Sequence, residues 1–420
     1  MKKSLKFLCL ALTLLMVLPM TFGCLGDKQG EESEVETSGE AATATLTING
    51  VAITDYTIVY SGKAETGGEK AAAYLNSKLN ELYGVALTSE HKSQQDRYEI
   101  LLGLDGGETA LSTANKQNSE GLIGASGKKV AIMGPNYAVL CQGIDAFFAK
   151  VTENGAQKEI AVSGTEFLNA KSFSLNVMTY NVLSDMGNGR GSNARARMVE
   201  TILENNVDVF GTQEDGAANS EYFLENLENY DIYKGELDDG NYIYWRKDKF
   251  NVVKKSYLFL SDTPVTPSKF SGASANTTMS YVILEDKTTA KQFLLVNVQA
   301  DEKANDKVRT QQMKVVAEQV EKINKDDLPV IVLGDLNTAA TDLLSHNKSF
   351  ALSSKLAKSK GDSKGTLVNS FTERDAKSVH DYIIVNTDSL CTEYYTVVNN
   401  VKDGKYPSDH LPVLATVKLY

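Results

Sequence analysis

Val330-Ile-Val-Leu-Gly-Asp335-Leu-Asn337 sets a carboxylate and an amide two residues apart behind an apolar run. The run reads as a fully buried strand, ended by Gly334. Residues i and i+2 on extended chain point the same way, so Asp335 and Asn337 project together from the end of a core strand. That is a common place for polar chemistry in an α/β sheet. Alone, the stretch reads first as a turn, because Gly, Asp and Asn all favour turns. Four further stretches shift the balance: Asn181, Glu214, His380-Asp381 and Ser408-Asp409-His410 each stand beside a β-branched or apolar run.

In chain order these are Met178-Thr-Tyr-Asn181, Gly211-Thr-Gln-Glu214, Gly334-Asp335-Leu-Asn337, His380-Asp381-Tyr and Ser408-Asp409-His410-Leu-Pro412. The set resembles the endonuclease/exonuclease/phosphatase superfamily over about Ser172–Tyr420. Each motif is weak alone; the ordered five are specific. The resemblance implies a four-layer α/β sandwich, two packed mixed sheets with outer helices. It also implies Mg²⁺ or Mn²⁺ as cofactor and cleavage of a phosphoester by direct attack of water.

Phosphoester chemistry fits these residue types. The nucleophile must be activated and the charge of the transition state neutralised. Mg²⁺ takes one or two carboxylates and keeps several waters. By the resemblance, Glu214 is the main metal ligand, helped by Asn181 and, through water, by Asp409. Asp335 orients or deprotonates the attacking water. Asn337 donates to a phosphate oxygen, and Asn181 also reaches phosphate. His410 stabilises the transition state or moves a proton, and Asp381 fixes its tautomer. His91 and His346 lie in polar loops and read as solvated, and His380 should point away from Asp381.

One position departs from the pattern. After Phe293-Leu-Leu-Val-Asn297-Val, many members carry Thr-His-Leu, whereas this chain has Gln299 at the histidine position. An amide donates a hydrogen bond but transfers no proton near neutral pH. Three options stay open: another donor, a substrate with a good leaving group, or an inactive descendant. Arg309, in the following helix, either reaches phosphate or solvates the helix face.

The elements that must carry these groups are legible in outline. Strands are expected at Phe173–Val182, Val207–Thr212, Tyr242–Trp245, Val252–Leu260, Thr278–Leu284, Gln292–Val298, Val330–Leu333, His380–Val385 and Leu411–Lys418. Helices are expected at Ala194–Asn205, with Met198, Ile202, Val199 and Leu203 on its face, and at Val308–Ile323. Ahead of them, residues 44–165 read as a small α+β accessory domain. Its helices are Glu69–Tyr83, facing inward through Ala72, Leu75, Leu79 and Leu82, and Tyr137–Val151. Its strands include Leu46–Asn49, Tyr56–Tyr60, Tyr98–Leu102 and a hairpin, Gly121–Ala125 with Lys129–Met133.

Residues 1–23 read as a signal peptide: Lys2, Lys3 and Lys6 precede the apolar run Phe7–Met20. Thr21-Phe-Gly-Cys24 resembles a bacterial lipobox, which makes Cys24 the lipidation site and places the protein on the outer side of the cell membrane. Residues 24–43 read as a disordered tether. Cys141 and Cys391 lack metal or redox spacing and read as buried small hydrophobes. Removing the three signal lysines from 43 basic residues against 54 acidic ones takes the formal charge from −11 to −14. Long nucleic acids are disfavoured by such a surface. The expected function is a surface-anchored, monomeric phosphoesterase acting on a small or lipid-like phosphodiester or phosphomonoester. The alternatives are a secreted nuclease and a catalytically decayed binding protein.

Overall fold

In a computed structural model of the protein, residues 45–63, 66–103, 120–184, 193–235, 237 and 239–420 are described. The expected signal, Cys24 and the tether lie outside them. So does most of the glycine-bearing loop after Asn181.

The second half is built on two sheets. One has seven strands in the order Tyr230–Tyr233, Ile243–Arg246, Val209–Gln213, Phe173–Asn181, Val413–Leu419, Leu390–Val397, Ser359–Lys360. The other has six, in the order Phe250–Phe259, Thr278–Asp286, Gln292–Gln299, Val330–Asp335, Asp381–Asn386, Phe350–Leu352. Both are mixed. Phe173–Asn181 runs parallel to Val209–Gln213 and antiparallel to Val413–Leu419. Gln292–Gln299 runs parallel to Val330–Asp335 and antiparallel to Thr278–Asp286.

Period-two alternation explains the layers. Phe293 and Leu295 face the other sheet, with Ile331, Leu333, Ile383 and Val385 beside them; Leu175, Val177, Val209, Ile243 and Trp245 answer from across the gap. The alternate residues Leu294, Val296 and Val332 face outward, against Val308, Met313, Val316 and Val320 of helix Asp306–Ile323. On the opposite outer face, Met178, Tyr180 and Phe210 pack on Met198, Val199 and Ile202 of helix Ala194–Glu204 and Phe223 of helix Ala217–Asn226. The result is helix, sheet, sheet, helix. Each fully buried large apolar side chain contributes about 1.5–3 kcal/mol.

Residues 45–167 form two smaller sheets, of four and six strands. Helices Gly68–Tyr83 and Tyr137–Phe148 cover the six-stranded one through Leu75, Leu79, Leu140, Ile144 and Phe147. Glu99 is fully buried there, held by Arg97 and Lys129. Contacts join this region to the second half: Lys70 pairs with Asp388, and Lys418 with Glu120. Thr43–Tyr420 is a single compact unit.

Several local expectations are corrected. Leu82 and Leu203 are about half exposed, 52% and 51%, because each sits just off the stripe its helix buries. The second helix ends at Phe148, and Val151 opens a strand that hairpins with Gln157–Ile160. The expected strands on either side of Lys247–Lys249 are present as Ile243–Arg246 and Phe250–Phe259, and they belong to different sheets. Cys141 and Cys391 are partly exposed free thiols rather than buried ones, and Asn136 Nδ2 lies 3.6 Å from Cys391 Sγ.

Candidate active site

The site lies where the apolar filling between the sheets runs out. On the inward pleat of each strand, apolar residues give way to polar ones at the same end: Val177, Thr179, Asn181; Val209, Gly211, Gln213; Leu295, Asn297, Gln299; Ile331, Leu333, Asp335; and Ile383, Asp381. Register aligns the last members. Gln299 is paired with Asp335, and Asp335 with Asp381, in one row across three strands.

One layer below the rim, the polar side chains are structural. Asn297 is fully buried and donates through Nδ2 to Thr212 O at 2.7 Å and Tyr242 O at 2.8 Å. Its Oδ1 accepts from Gln213 Nε2 at 2.6 Å. These bonds join the two sheets. Gly211 makes room for them, since a Cβ there would lie 2.6 Å from the Asn297 amide and 2.2 Å from Leu333 Cδ1.

At the rim itself three left-handed backbones aim the chain. Glu214 has φ +52°, Asn337 φ +50° and Leu183 φ +52°. Such conformations cost about 1 kcal/mol or more in a non-glycine residue and cluster at functional sites. At Glu214 the turn breaks the strand's alternation, so that Gln213 serves the core and the next residue serves the rim.

Asn181 Nδ2 donates to Glu214 Oε1 at 2.9 Å and to Asp335 Oδ2 at 3.1 Å. Gln299 Nε2 donates to the same Glu214 Oε1 at 3.0 Å. Asp335 Oδ1 accepts the Asn337 N–H at 3.0 Å, while Asn337 Nδ2 donates to Ala300 O at 3.0 Å. His410 Nδ1 lies 2.8 Å from Asp381 Oδ2, and its Nε2 3.8 Å from Asp335 Oδ2. Ser408 Oγ donates to Asn181 O at 2.7 Å and lies 3.3 Å from Asp409 Oδ1, which brings Asp409 to the same strand end.

Burial and charge set the protonation. Burial pushes Asp335 up to about 7; His410 opposes the rise and Asp381 adds to it. For His410, burial disfavours the cation, but Asp381 and Asp335 outweigh it and raise the imidazole to about 10. Both acids thus favour the charged form of the imidazole between them. His380 moves the opposite way: burial and the neighbouring His410 charge lower it, and the two rings lie 6.4 Å apart.

Of the residues singled out in the sequence, Asn181, Glu214, Asp335, Asn337, Asp381, Asp409 and His410 lie at this rim. Arg309 is used elsewhere. Its Nη1 donates to the carbonyls of Asp301, Glu302 and Ala304, and its Nη2 to Asp306 at 2.5 Å, fastening the loop before the helix. This contact set corrects the phosphate-binding expectation for Arg309, since the cation is spent on loop carbonyls. The clamp of Glu214 by Gln299 was missed in the sequence; the polar residue following Asn297 on the same pleat is the signal that reveals it. A cavity of about 280 Å³ lies beside Pro407, one residue before Ser408, lined by Asn193, Arg197, Lys402, Lys405 and Tyr406 among others.

Residues 178–410 match the model of the Endonuclease/Exonuclease/phosphatase family. Among solved structures, a family member from Bacteroides thetaiotaomicron is 26% identical, covering 60% of this chain and 96% of its own, with a TM-score of 0.52. A mannosyl-6-phosphatase from the same organism is 26% identical over 58% of this chain and 99% of its own, TM-score 0.51. A Bacteroides vulgatus member at 21% identity shares the fold, with 59% and 100% coverage and a TM-score of 0.53. No curated protein sequence matches the chain.

Proposed function

The chain belongs to the endonuclease/exonuclease/phosphatase family, and we propose that it hydrolyses a small phosphoester by metal-assisted attack of water. The observation that carries this is the convergence of Asn181, Glu214, Asp335 and the Asp381–His410 pair at one rim.

The donor set suits a hard cation. Its carboxylate oxygens are ligands Mg²⁺ and Mn²⁺ prefer, and Asp381 Oδ1 is buried with no hydrogen-bond partner. Asp335, Asp381 and His410 also offer ligand atoms within 4.8 Å of one another. His410 is better suited to holding a proton there, because a protonated imidazole has no lone pair for a metal. Glu214 and Asp409 are the proposed holders; the expected ligand Asn181 turns its N–H groups to Glu214 and Asp335 and its Oδ1 to the Leu183 N–H, so it orients Glu214 instead. A bound divalent cation supplies charge neutralisation at the phosphate.

The chain's own residues do the rest. Asp335, raised to about 7, takes the proton of the attacking water as the new P–O bond forms and the ester P–O bond breaks. His410, kept cationic and oriented by Asp381, stabilises charge on a phosphoryl oxygen. Asn337 spends one Nδ2 hydrogen on Ala300 O and offers the other to phosphate. The leaving oxygen takes its proton from solvent, since Gln299 has none to give.

A small substrate, rather than a long nucleic acid, fits the acidic chain. The mannosyl-6-phosphatase relative supports a sugar phosphate monoester. Export and lipid tethering at Cys24 belong to the proposal and rest on residues 1–24 alone. Gln299 favours a second reading, a decayed binding protein; against it stand the strained backbones of the rim, its Asn181–Glu214–Gln299 hydrogen bonds and the intact His410–Asp381 pair. Phosphate release from hexose 6-phosphates, compared with bis-(p-nitrophenyl) phosphate and single-stranded DNA, tests the substrate class. Preferred turnover of the small esters is expected; preferred cleavage of DNA overturns it.

A further inference from the structure

We propose that Gln299 is a positioning residue for a divalent cation, acting through Glu214; the inference rests on the metal-dependent reading above. Two amides converge on a single carboxylate oxygen: Asn181 Nδ2 at 2.9 Å and Gln299 Nε2 at 3.0 Å, both on Glu214 Oε1. With Oε1 doubly held, the carboxylate is oriented and its second oxygen, Oε2, is left for a cation. Both donors are neutral and do not titrate, so they orient the carboxylate without cancelling its charge. A lysine or a protonated histidine at position 299 would form an ion pair and weaken the group as a cation ligand.

The two donors come from different sheets. Asn181 ends a strand of the seven-stranded sheet, the sheet that also carries Glu214, and it divides its two N–H groups between Glu214 and Asp335. Gln299 ends a strand of the six-stranded sheet and gives Glu214 its second donor. Glu214 itself sits at φ +52°, a conformation that persists where the surroundings impose it.

Comparison along the same strand separates this role from packing. Asn297 and Gln299 point the same way, two residues apart. Asn297 is fully buried, and its bonds go to two backbone carbonyls and the core amide Gln213. Gln299 is half-buried at the rim, and its amide goes to the side chain of Glu214, the residue after Gln213. One pleat holds the sheets together and the next holds the candidate ligand.

The test is Mn²⁺ binding to the full chain, read as loss of the free-ion spectroscopic signal, alongside the melting temperature without metal. Gln299→Met keeps length and packing but removes the donor; Gln299→His, read at about pH 8.5 so that the imidazole is neutral, returns an uncharged N–H. Loss of a partner that orients a metal ligand typically weakens affinity about 10–100-fold, the drop expected for Gln299→Met. Gln299→His is expected to bind within about threefold of the unsubstituted protein. Gln299→Met binding Mn²⁺ as tightly as the parent overturns the inference and leaves the metal-dependent reading standing. Should Gln299→Met melt well below the parent, the His variant decides, and weak binding by it overturns the inference. An unsubstituted chain that binds no Mn²⁺ overturns the metal-dependent reading itself and this inference with it.

Discussion

His410 illustrates how far neighbours can move one residue. Burial alone would drive the imidazole neutral, yet Asp381 at 2.8 Å and Asp335 at 3.8 Å keep it cationic up to about 10. If the cation is the working form, the alkaline limb of the kcat/KM profile lies far above the ordinary histidine range. Asp381→Asn removes the larger support, so that limb should move to lower pH and the plateau rate should fall about 10²–10⁴-fold. A profile whose alkaline limb stays in place contradicts this role for Asp381. Glu99 makes the complementary case for stability. Burial alone would raise it, but Ser93, the Gln94 N–H, Lys129 and Arg97 hold it below the ordinary carboxylate range. A depressed carboxylate contributes stability that is complete above its unfolded value, near 4.3, and lost as pH falls through the folded value. Glu99→Gln should therefore flatten the acid limb of a stability profile. At pH 7 it should cost about 2 kcal/mol, less than a fully buried pair because Arg97 and Lys129 keep some of their solvent. Urea titrations at pH 3, 5 and 7 measure both effects.

The strand ends were legible because burial and chemistry use the same alternation. Apolar runs located most of the strands of the second half, and the polar residue closing each run marked the rim. Elements without that contrast stayed hidden. The hairpin Val151–Asn154 with Gln157–Ile160 is largely exposed and charged, so it carries no apolar run. Helix Ala217–Asn226 buries only Asn219, Ser220 and Phe223 and offers little stripe. The switch of sheets between Ile243–Arg246 and Phe250–Phe259 depends on pairing across the whole domain, which local pattern does not encode. Arg309 is hidden for a similar reason: sequence spacing shows a cation near the site but not the carbonyls that claim it. Gly334 gives the element-scale prediction. It has φ +147°, and a Cβ would lie 1.8 Å from Val298 O on the neighbouring strand. Gly334→Ala must push neighbouring central strands apart or change the backbone, so we expect a loss on the order of 3 kcal/mol, seen as a lower urea midpoint. An unchanged midpoint would show that the strand end relaxes freely and does not hold Asp335 rigidly.

At the scale of the molecule, an acidic chain faces an anionic substrate. The formal charge is −11, and the rim adds Glu214, Asp335, Asp381 and Asp409 with Arg309 turned to its loop. The field should slow the approach of phosphoesters, and salt should relieve it. We expect kcat/KM for a small phosphomonoester to rise modestly, about twofold, between 20 and 200 mM NaCl at fixed metal concentration. A steep fall would instead point to a cationic docking patch and favour the nuclease reading. The central claim, metal-dependent phosphoester hydrolysis at this rim, is met most directly by turnover of bis-(p-nitrophenyl) phosphate and p-nitrophenyl phosphate. The unsubstituted protein is assayed with Mg²⁺, with Mn²⁺ and with chelator, beside Asp335→Ala and His410→Ala. Their good leaving groups need no acid at position 299, so the result isolates the rim. Turnover that requires the metal and falls at least about 10²-fold in both variants is the expected result. Turnover indifferent to metal or to both substitutions, or none with any metal, contradicts it.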